Sequence, residues 1–252
     1  MRGVSRTTGF LVRALTPVWR NAIGGVTFRT DDGRYVKDGP RNAETSMRGE
    51  AERLAWAGTF APVPRVLNVG GDDDDEWLVT ATLPGQSAVA PRWTGDPARV
   101  ETTVRAVGSG LRALHDALPV ASCPFGWGVE SRVADAVRRG IRLLDALRRA
   151  PQMDRAVVCH GDACCPNTVI DDDGQVTGHV DLGALGIADR WADIAVAASV
   201  VRTTARSGTP PERTPRPHEK PLRARDTTQC GVSRDESGFA ATGAARGGGR
   251  PG

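Results

Sequence analysis

The sequence predicts an α+β fold in two lobes, a β-rich lobe first and a helical lobe after it. Three observations carry that prediction. The first third holds short β-rich runs bounded by turn signals. The middle holds two long stretches with apolar residues at helical spacing, and a tight hairpin with oxygen-bearing side chains at its open end follows them.

"GVTFRT" and "RYVKDG" read as strands joined by the turn signal "DDG". "AETSMRGEAERLAWAG" comes next, with Met47, Ala51, Leu54 and Ala55 at helical spacing and Gly58 as its stop. "APVPRVLNV" enters another strand through a proline-stiffened approach, and "EWLVTATL" makes the strand after it. "GGDDDD" between them reads as a solvated loop, because consecutive carboxylates on a glycine-led turn are exposed charge. In "VETTVRAVGSGLRALHDAL", Val104, Val107, Leu111, Leu114 and Leu118 share one face and Pro119 ends the helix; "SRVADAVRRGIRLLDALRRA" repeats the pattern. The chain divides into an N-terminal extension (1–16), an N-lobe (17–83), a C-lobe (84–201) and a tail (202–252). The tail scatters prolines and glycines without an apolar stripe, so it is expected to be disordered.

The net charge of +3 is unevenly placed: the tail holds ten Lys and Arg against five Asp and Glu, leaving 23 against 25 in the first 201 residues. A mildly acidic body gives no support to a nucleic-acid partner. No apolar run approaches the ~20 residues that span a bilayer, and the N-terminus lacks the apolar core of a signal peptide. Five cysteines, Cys123, Cys159, Cys164, Cys165 and Cys230, are odd in number and clustered, which is no secreted disulfide framework. These features point to a cytoplasmic protein with reduced thiols, no membrane partner and an oligomeric state that the sequence leaves open.

The chemistry concentrates in "HGDACCPNTVI", residues 160–170. Asp162 follows the apolar run "AVVCH" and precedes Asn167 in the frame H-x-D-x4-N, and Asp181 opens "DLG" after a second apolar run. With the turn at Asp171–Gly174 between them, "TVI" and "TGHV" form a hairpin that brings Asn167 and Asp181 together near Asp162. An amide and a carboxylate suit Mg²⁺, a hard cation preferring oxygen. A separate carboxylate suits an acceptor hydroxyl whose proton must be taken. Upstream stand a strand lysine, Lys37, and a helix glutamate, Glu50, in the order of the protein-kinase pattern, with Gly161 and Leu182 where that pattern has arginine and phenylalanine. A zinc site from Cys159, His160, Cys164 and Cys165 fits badly, since the spacings match no separated C-x2-C knuckles and strand alternation sends Cys159 and His160 to opposite faces. The cysteines read as packing residues and His160 as a hydrogen-bonder of the loop.

The run "VVCHGDACCPNTVIDDDGQVTGHVDLGALGIADRWADIAVA" resembles the signature of aminoglycoside O-phosphotransferases of the 3′ and 3″ classes. "GEAERLAWAG…APVPRVL", "EWLVTATLPG" and "LRALHDALPVASCPF" resemble the same family in order, so the likeness covers about residues 17 to 200. It implies a protein-kinase-like bilobal fold and transfer of the ATP γ-phosphate to an antibiotic hydroxyl, conferring resistance. Carried over by position, Asp162 is the catalytic base, Asn167 and Asp181 are Mg²⁺ ligands, and Lys37, held by Glu50, meets the ATP phosphates. The backbones of Thr80 and Thr82 face adenine, and Asp193 braces the catalytic loop. "NAIGGVTF" offers Gly24 and Gly25 but not the fuller glycine-rich pattern.

The resemblance also implies further C-lobe helices, which supply acidic groups for the cationic drug, where this chain has its Arg/Pro/Gly/Thr tail. The C-lobe is expected to be incomplete. Three functions stay open on the sequence: an aminoglycoside kinase, intact or impaired by that loss; a kinase for another small-molecule hydroxyl; and an inactive nucleotide-binding remnant. A change of reading frame near residue 200 accounts for the tail. The other two frames of the gene are then expected to encode helical, family-like sequence, and its absence from both excludes the idea.

Overall fold

The alternating runs of the first third assemble into one antiparallel sheet in a computed structural model, which describes residues 14–207. Its elements are β1 (Leu15–Arg20), β2 (Val26–Thr30), β3 (Arg34–Pro40), α1 (Met47–Ala57), β4 (Val66–Gly71) and β5 (Asp75–Ala81), with strand order β1-β2-β3-β5-β4. The β2–β3 turn is the expected one: Gly33 takes φ +77 and Thr30 Oγ1 accepts from Arg34 N–H at 2.8 Å. Sequence reading had no strand at β1, which begins two residues before the 16/17 boundary. Its signal is faint because it is an edge strand interrupted by Pro17 and a bulge, with Trp19 54% exposed. The acidic run forms the β4–β5 hairpin tip, where the Asp72 carboxylate accepts from the N–H groups of Asp74 and Asp75; Asp75 is already in β5.

α1 starts at Ser46, whose Oγ accepts from Gly49 N–H at 3.1 Å, and ends at Gly58. Its buried positions are Glu50, Ala51, Leu54 and Ala57, so Ala57 replaces the expected Ala55 on the packed face. That face carries one apolar stripe and one acid. The stripe fits the core, and the acid needs a partner.

The C-lobe runs β6 (Gln86–Ser87), α2 (Pro91–Thr94), α3 (Pro97–Ala117), α4 (Val129–Arg138), β7 (Ala156–Cys159), β8 (Thr168–Ile170), β9 (Val176–His179), β10 (Gly186–Asp189) and α5 (Trp191–Ser207). β6, β8 and β9 form one small sheet, and β7 pairs with β10. α3 is capped by Asp96, whose carboxylate accepts from Ala98 N–H at 3.0 Å, with Pro97 at the first helical position. It buries Val107, Leu111 and Leu114, whereas Val104 lies off the packed face.

α4 is half as long as its apolar pattern suggests. Gly140, at φ +70, closes a Schellman motif in which its N–H meets Val137 O at 3.0 Å and Ile141 N–H meets Ala136 O at 2.9 Å. Ile141 and Leu144 beyond it are exposed. α5 continues to Ser207, past the expected C-lobe limit at 201; the predicted disorder of the tail otherwise lies outside the described residues.

One apolar cluster spans both lobes: Ala51, Leu54 and Ala57 of α1 and Leu78 of β5 meet Leu114, Leu118, Val158, Leu182 and Leu185. Leu182 is 0% exposed there. Leu182→Ala is therefore expected to cost about 2–5 kcal/mol, read as a lower urea midpoint at unchanged m-value.

Candidate active site

Lys37 projects from β3 toward α1, and Glu50 sits in the first turn of that helix, where the helix dipole favours a negative charge. Lys37 Nζ lies 2.7 and 2.8 Å from the two Glu50 oxygens and 2.7 Å from Asp181 Oδ1. Burial pulls the ammonium toward neutrality, but the two carboxylates outweigh it and hold Lys37 well above the usual lysine range. For Asp181, burial likewise opposes the charge and Lys37 overcomes it, leaving the carboxyl below its usual value. Glu50 is pushed upward by burial, against the pull of Lys37. One cation thus bridges an N-lobe helix and a C-lobe loop.

The loop after β7 is shaped by its neighbours' backbone. Gly161 takes φ +86, and a Cβ there would sit 2.2 Å from Ala184 O, so no side chain fits where the kinase pattern has arginine. His160 is 0% exposed. Its Nε2 lies 3.0 Å from Val180 O, which only accepts, so Nε2 carries the proton and Nδ1 accepts from Asp162 N–H at 3.3 Å. Burial keeps the ring neutral, outweighing the nearby acids. His160 thereby ties the residue before Asp181 to the backbone of Asp162.

Asn167 Nδ2 donates to Asp162 O at 2.9 Å and reaches Asp162 Oδ2 at 3.4 Å. Val180 N–H donates to Asn167 O at 2.9 Å, which sets Asp181 one residue beyond the hairpin's open end. Asp181 itself adopts φ +65, a left-handed conformation that aspartate tolerates better than most residues. Leu182, locked in the shared core, holds it there. The structure therefore brings Asp162 and Asn167 together, and Lys37, Glu50 and Asp181 together, with the β8–β9 register linking the two groups.

Thr80 and Thr82 are placed differently from the sequence reading, which set both backbones toward adenine. Thr80 pairs with Tyr35 of β3 and Val66 of β4. Ala81 N–H donates to Arg65 O at 2.9 Å, which makes Thr80–Val66 the non-bonded kind of pair and turns the Thr80 backbone groups toward β3. Thr82 stays on that side, its hydroxyl donating to Gly33 O. The same alternation turns the Ala81 N–H and C=O away from β3, the N–H meeting Arg65 O. A one-residue phase separates the two readings, and residue types do not encode it.

Residues 15–216 match the family described as phosphotransferase enzyme family, a span that runs past the change of composition at residue 202. The chain belongs to that family. It is 41% identical over 190 residues to an aminoglycoside 3′-phosphotransferase of Streptomyces fradiae, covering 65% of this chain and 69% of the relative. It is 37% identical over 209 residues to a streptomycin 3″-kinase of Streptomyces griseus, covering 72% and 75%. Among solved structures it resembles aminoglycoside phosphotransferase APH(3″)-Id from Streptomyces rimosus in complex with ADP and streptomycin, at TM-score 0.61 and 29% identity over 80% of this chain and 82% of that one. The bilobal fold is thus the protein-kinase-like fold of this family.

Beneath the loop that follows β7, Asp193 of α5 is 0% exposed and accepts from His160 N–H at 2.7 Å and Gly161 N–H at 3.0 Å. His115 Nε2 of α3 meets the same carboxylate at 2.8 Å. Sequence reading missed His115, whose one signal is a histidine amid the packed leucines of "RALHDAL". His115, Cys159 and Asp193 place a ligand atom each within 4.8 Å of one another. They nonetheless form a hydrogen-bonded brace: Cys159 Sγ–H donates to Asp189 O at 3.4 Å, and burial, then the Asp193 charge, keeps the thiol protonated.

Burial raises the Asp193 pKa, but its donors more than reverse this and leave it depressed. Its stabilisation is then complete above the unfolded carboxylate range near ~3.9 and is lost as pH falls through the lower folded value. Asp193→Asn is expected to lower stability by roughly 3–5 kcal/mol at neutral pH and to flatten the acid limb. Urea midpoints of both proteins between pH 2 and 7 read this directly.

Proposed function

We propose that this chain is an ATP-dependent aminoglycoside O-phosphotransferase, transferring the γ-phosphoryl group to a drug hydroxyl and so conferring resistance. One observation supports it above the others. The Lys37–Glu50–Asp181 bridge and the Asp162–Asn167 pair are joined by one hairpin, in a chain whose relatives are named for that reaction.

In this reading Asp162 accepts the hydroxyl proton as the acceptor oxygen bonds to phosphorus and the bond to the ADP oxygen breaks. Its exposed carboxylate at the loop surface suits an incoming acceptor. Lys37, kept charged, offers its ammonium to phosphate oxygens, and Glu50 fixes its direction. Ala81 C=O and Leu83 N–H are the backbone pair we assign to adenine in place of Thr80 and Thr82.

The donor set fits Mg²⁺. Asn167 commits its Nδ2 to Asp162 and keeps its oxygen, and Asp181 keeps a second oxygen beside the one on Lys37. When bound there, the ion offsets negative charge on the phosphates.

The test is ATP-dependent phosphorylation of kanamycin and of streptomycin by the full chain. Asp162→Ala is expected to lower kcat by roughly 10²–10⁴-fold while ADP still raises the melting temperature. Nucleotide-induced stabilisation without turnover of any aminoglycoside would mark a binding remnant instead.

A further inference from the structure

The ammonium of Lys37 has three N–H donors, and all three are committed, two to Glu50 and one to Asp181. For a phosphate oxygen to reach it, a carboxylate has to give way. Glu50 is the firmer partner, its side chain 8% exposed and both oxygens engaged. The Asp181 side chain is 49% exposed and engages one oxygen. Asp181 is the freer of the two, and its contact is the ionic tie between the lobes.

A second tie lies further along α1. Arg53 stands three residues after Glu50, so the two side chains are neighbours on the helix surface. Its Nε donates to Leu185 O at 3.0 Å, across 132 positions of chain, and a terminal nitrogen donates to Gly49 O at 3.0 Å. The guanidinium lies over the Phe125 ring, 4.7 Å from its centroid. Phe125 is fixed in turn, because its carbonyl accepts from Ile187 N–H at 2.8 Å. The planar fork of Arg53 thus bridges backbone carbonyls of both lobes.

The carbonyl it grips belongs to the segment that carries Asp181. Leu185 N–H donates to Leu182 O at 3.0 Å, which closes residues 182–185 into a turn directly after Asp181, and both leucines are 0% exposed. We propose that Arg53 is a positioning residue for nucleotide binding: its hydrogen bond to Leu185 O keeps the Asp181 segment docked on α1 once a phosphate takes the place of Asp181 on Lys37. The proposal rests on the reading of Lys37 as a phosphate contact. Both acceptors of Arg53 are backbone carbonyls, so an arriving anion has no carboxylate to displace there. The ionic tie is exchangeable, and the carbonyl tie is not.

Two measurements decide it. The first is titration calorimetry of the full chain with ADP and Mg²⁺. Arg53→Met keeps the apolar stem and removes the donors, and it is expected to bind ADP roughly tenfold more weakly, because its bound state has neither tie. Arg53→Lys keeps one donor and is expected to regain part of that loss. A residue that merely stabilises the fold would lower the melting temperature and leave the affinity alone. Wild-type ADP affinity in Arg53→Met therefore overturns the proposal, as does a lysine variant as weak as the methionine one. The second measurement needs no nucleotide. Amide exchange at Leu185 N–H, read by NMR, is expected to rise only slightly in Arg53→Met and in Asp181→Asn, each of which leaves one tie. In the double variant it is expected to rise by a further factor of roughly ten. Asparagine suits this test because it tolerates the left-handed backbone at position 181. Exchange in the double variant no faster than the product of the two single effects overturns the clasp. Slow single variants and a fast double variant in a chain that binds no ADP keep the clasp, but overturn its role toward a nucleotide together with the phosphate reading of Lys37.

Discussion

A single ammonium group, Lys37 Nζ, is shared among three carboxylate oxygens on two residues that lie far apart in the chain. Glu50 comes from the helix of the first lobe and Asp181 from the loop of the second, so the cation adds an ionic tie to lobes that already share an apolar cluster. Glu50, buried in α1, would be costly where it stands without the lysine, and burial works against the charge of the lysine itself. The apolar cluster beneath, from Leu54 to Leu182, supplies the packing that keeps the three groups within reach. Charge and packing here are mutually dependent: the cluster brings Leu182 under α1, and Leu182 carries Asp181 with it.

The second lobe solves a related problem with one buried carboxylate and one neutral ring. A loop that must present an acid to solvent also has to satisfy its own backbone amides. Asp193 takes two of them, His160 takes a third on Nδ1, and His115 completes the Asp193 carboxylate from α3. Because His160 donates from Nε2 to Val180, its tautomer is settled by an acceptor that cannot donate. Neutrality lets the ring be fully buried, and burial in turn preserves neutrality.

Much of this was legible in the residues. The order Lys37, Glu50, Asp162, Asn167, Asp181 is a pattern of chemistry, and the turn at Asp171–Gly174 makes the hairpin whose register links the Asp162–Asn167 pair to the residue before Asp181. The failures share another cause. β1 buries little, so its apolar residues carry no period. α4 stops at Gly140 although the apolar pattern runs on, because a left-handed glycine outweighs periodicity. Thr80 and Ala81 differ by one step of strand alternation, which is set by pairing with β3 and β4 rather than by side-chain type. His115 acts across 78 positions on Asp193, a distance over which no local pattern speaks. Local signals were readable, and long-range phase was not.

The placement of Asp193 has a consequence for the order in which the protein takes shape on the ribosome. Every strand of the first sheet is available once Ala81 has been made, and the glycine-bearing turn at His160 and Gly161 follows much later. Yet the carboxylate that secures that turn lies 33 positions beyond His160. Until the opening turn of α5 has emerged from the exit tunnel, the nascent chain carries Lys37, Glu50, Asp162, Asn167 and Asp181 but lacks the clasp that secures the turn before Asp162.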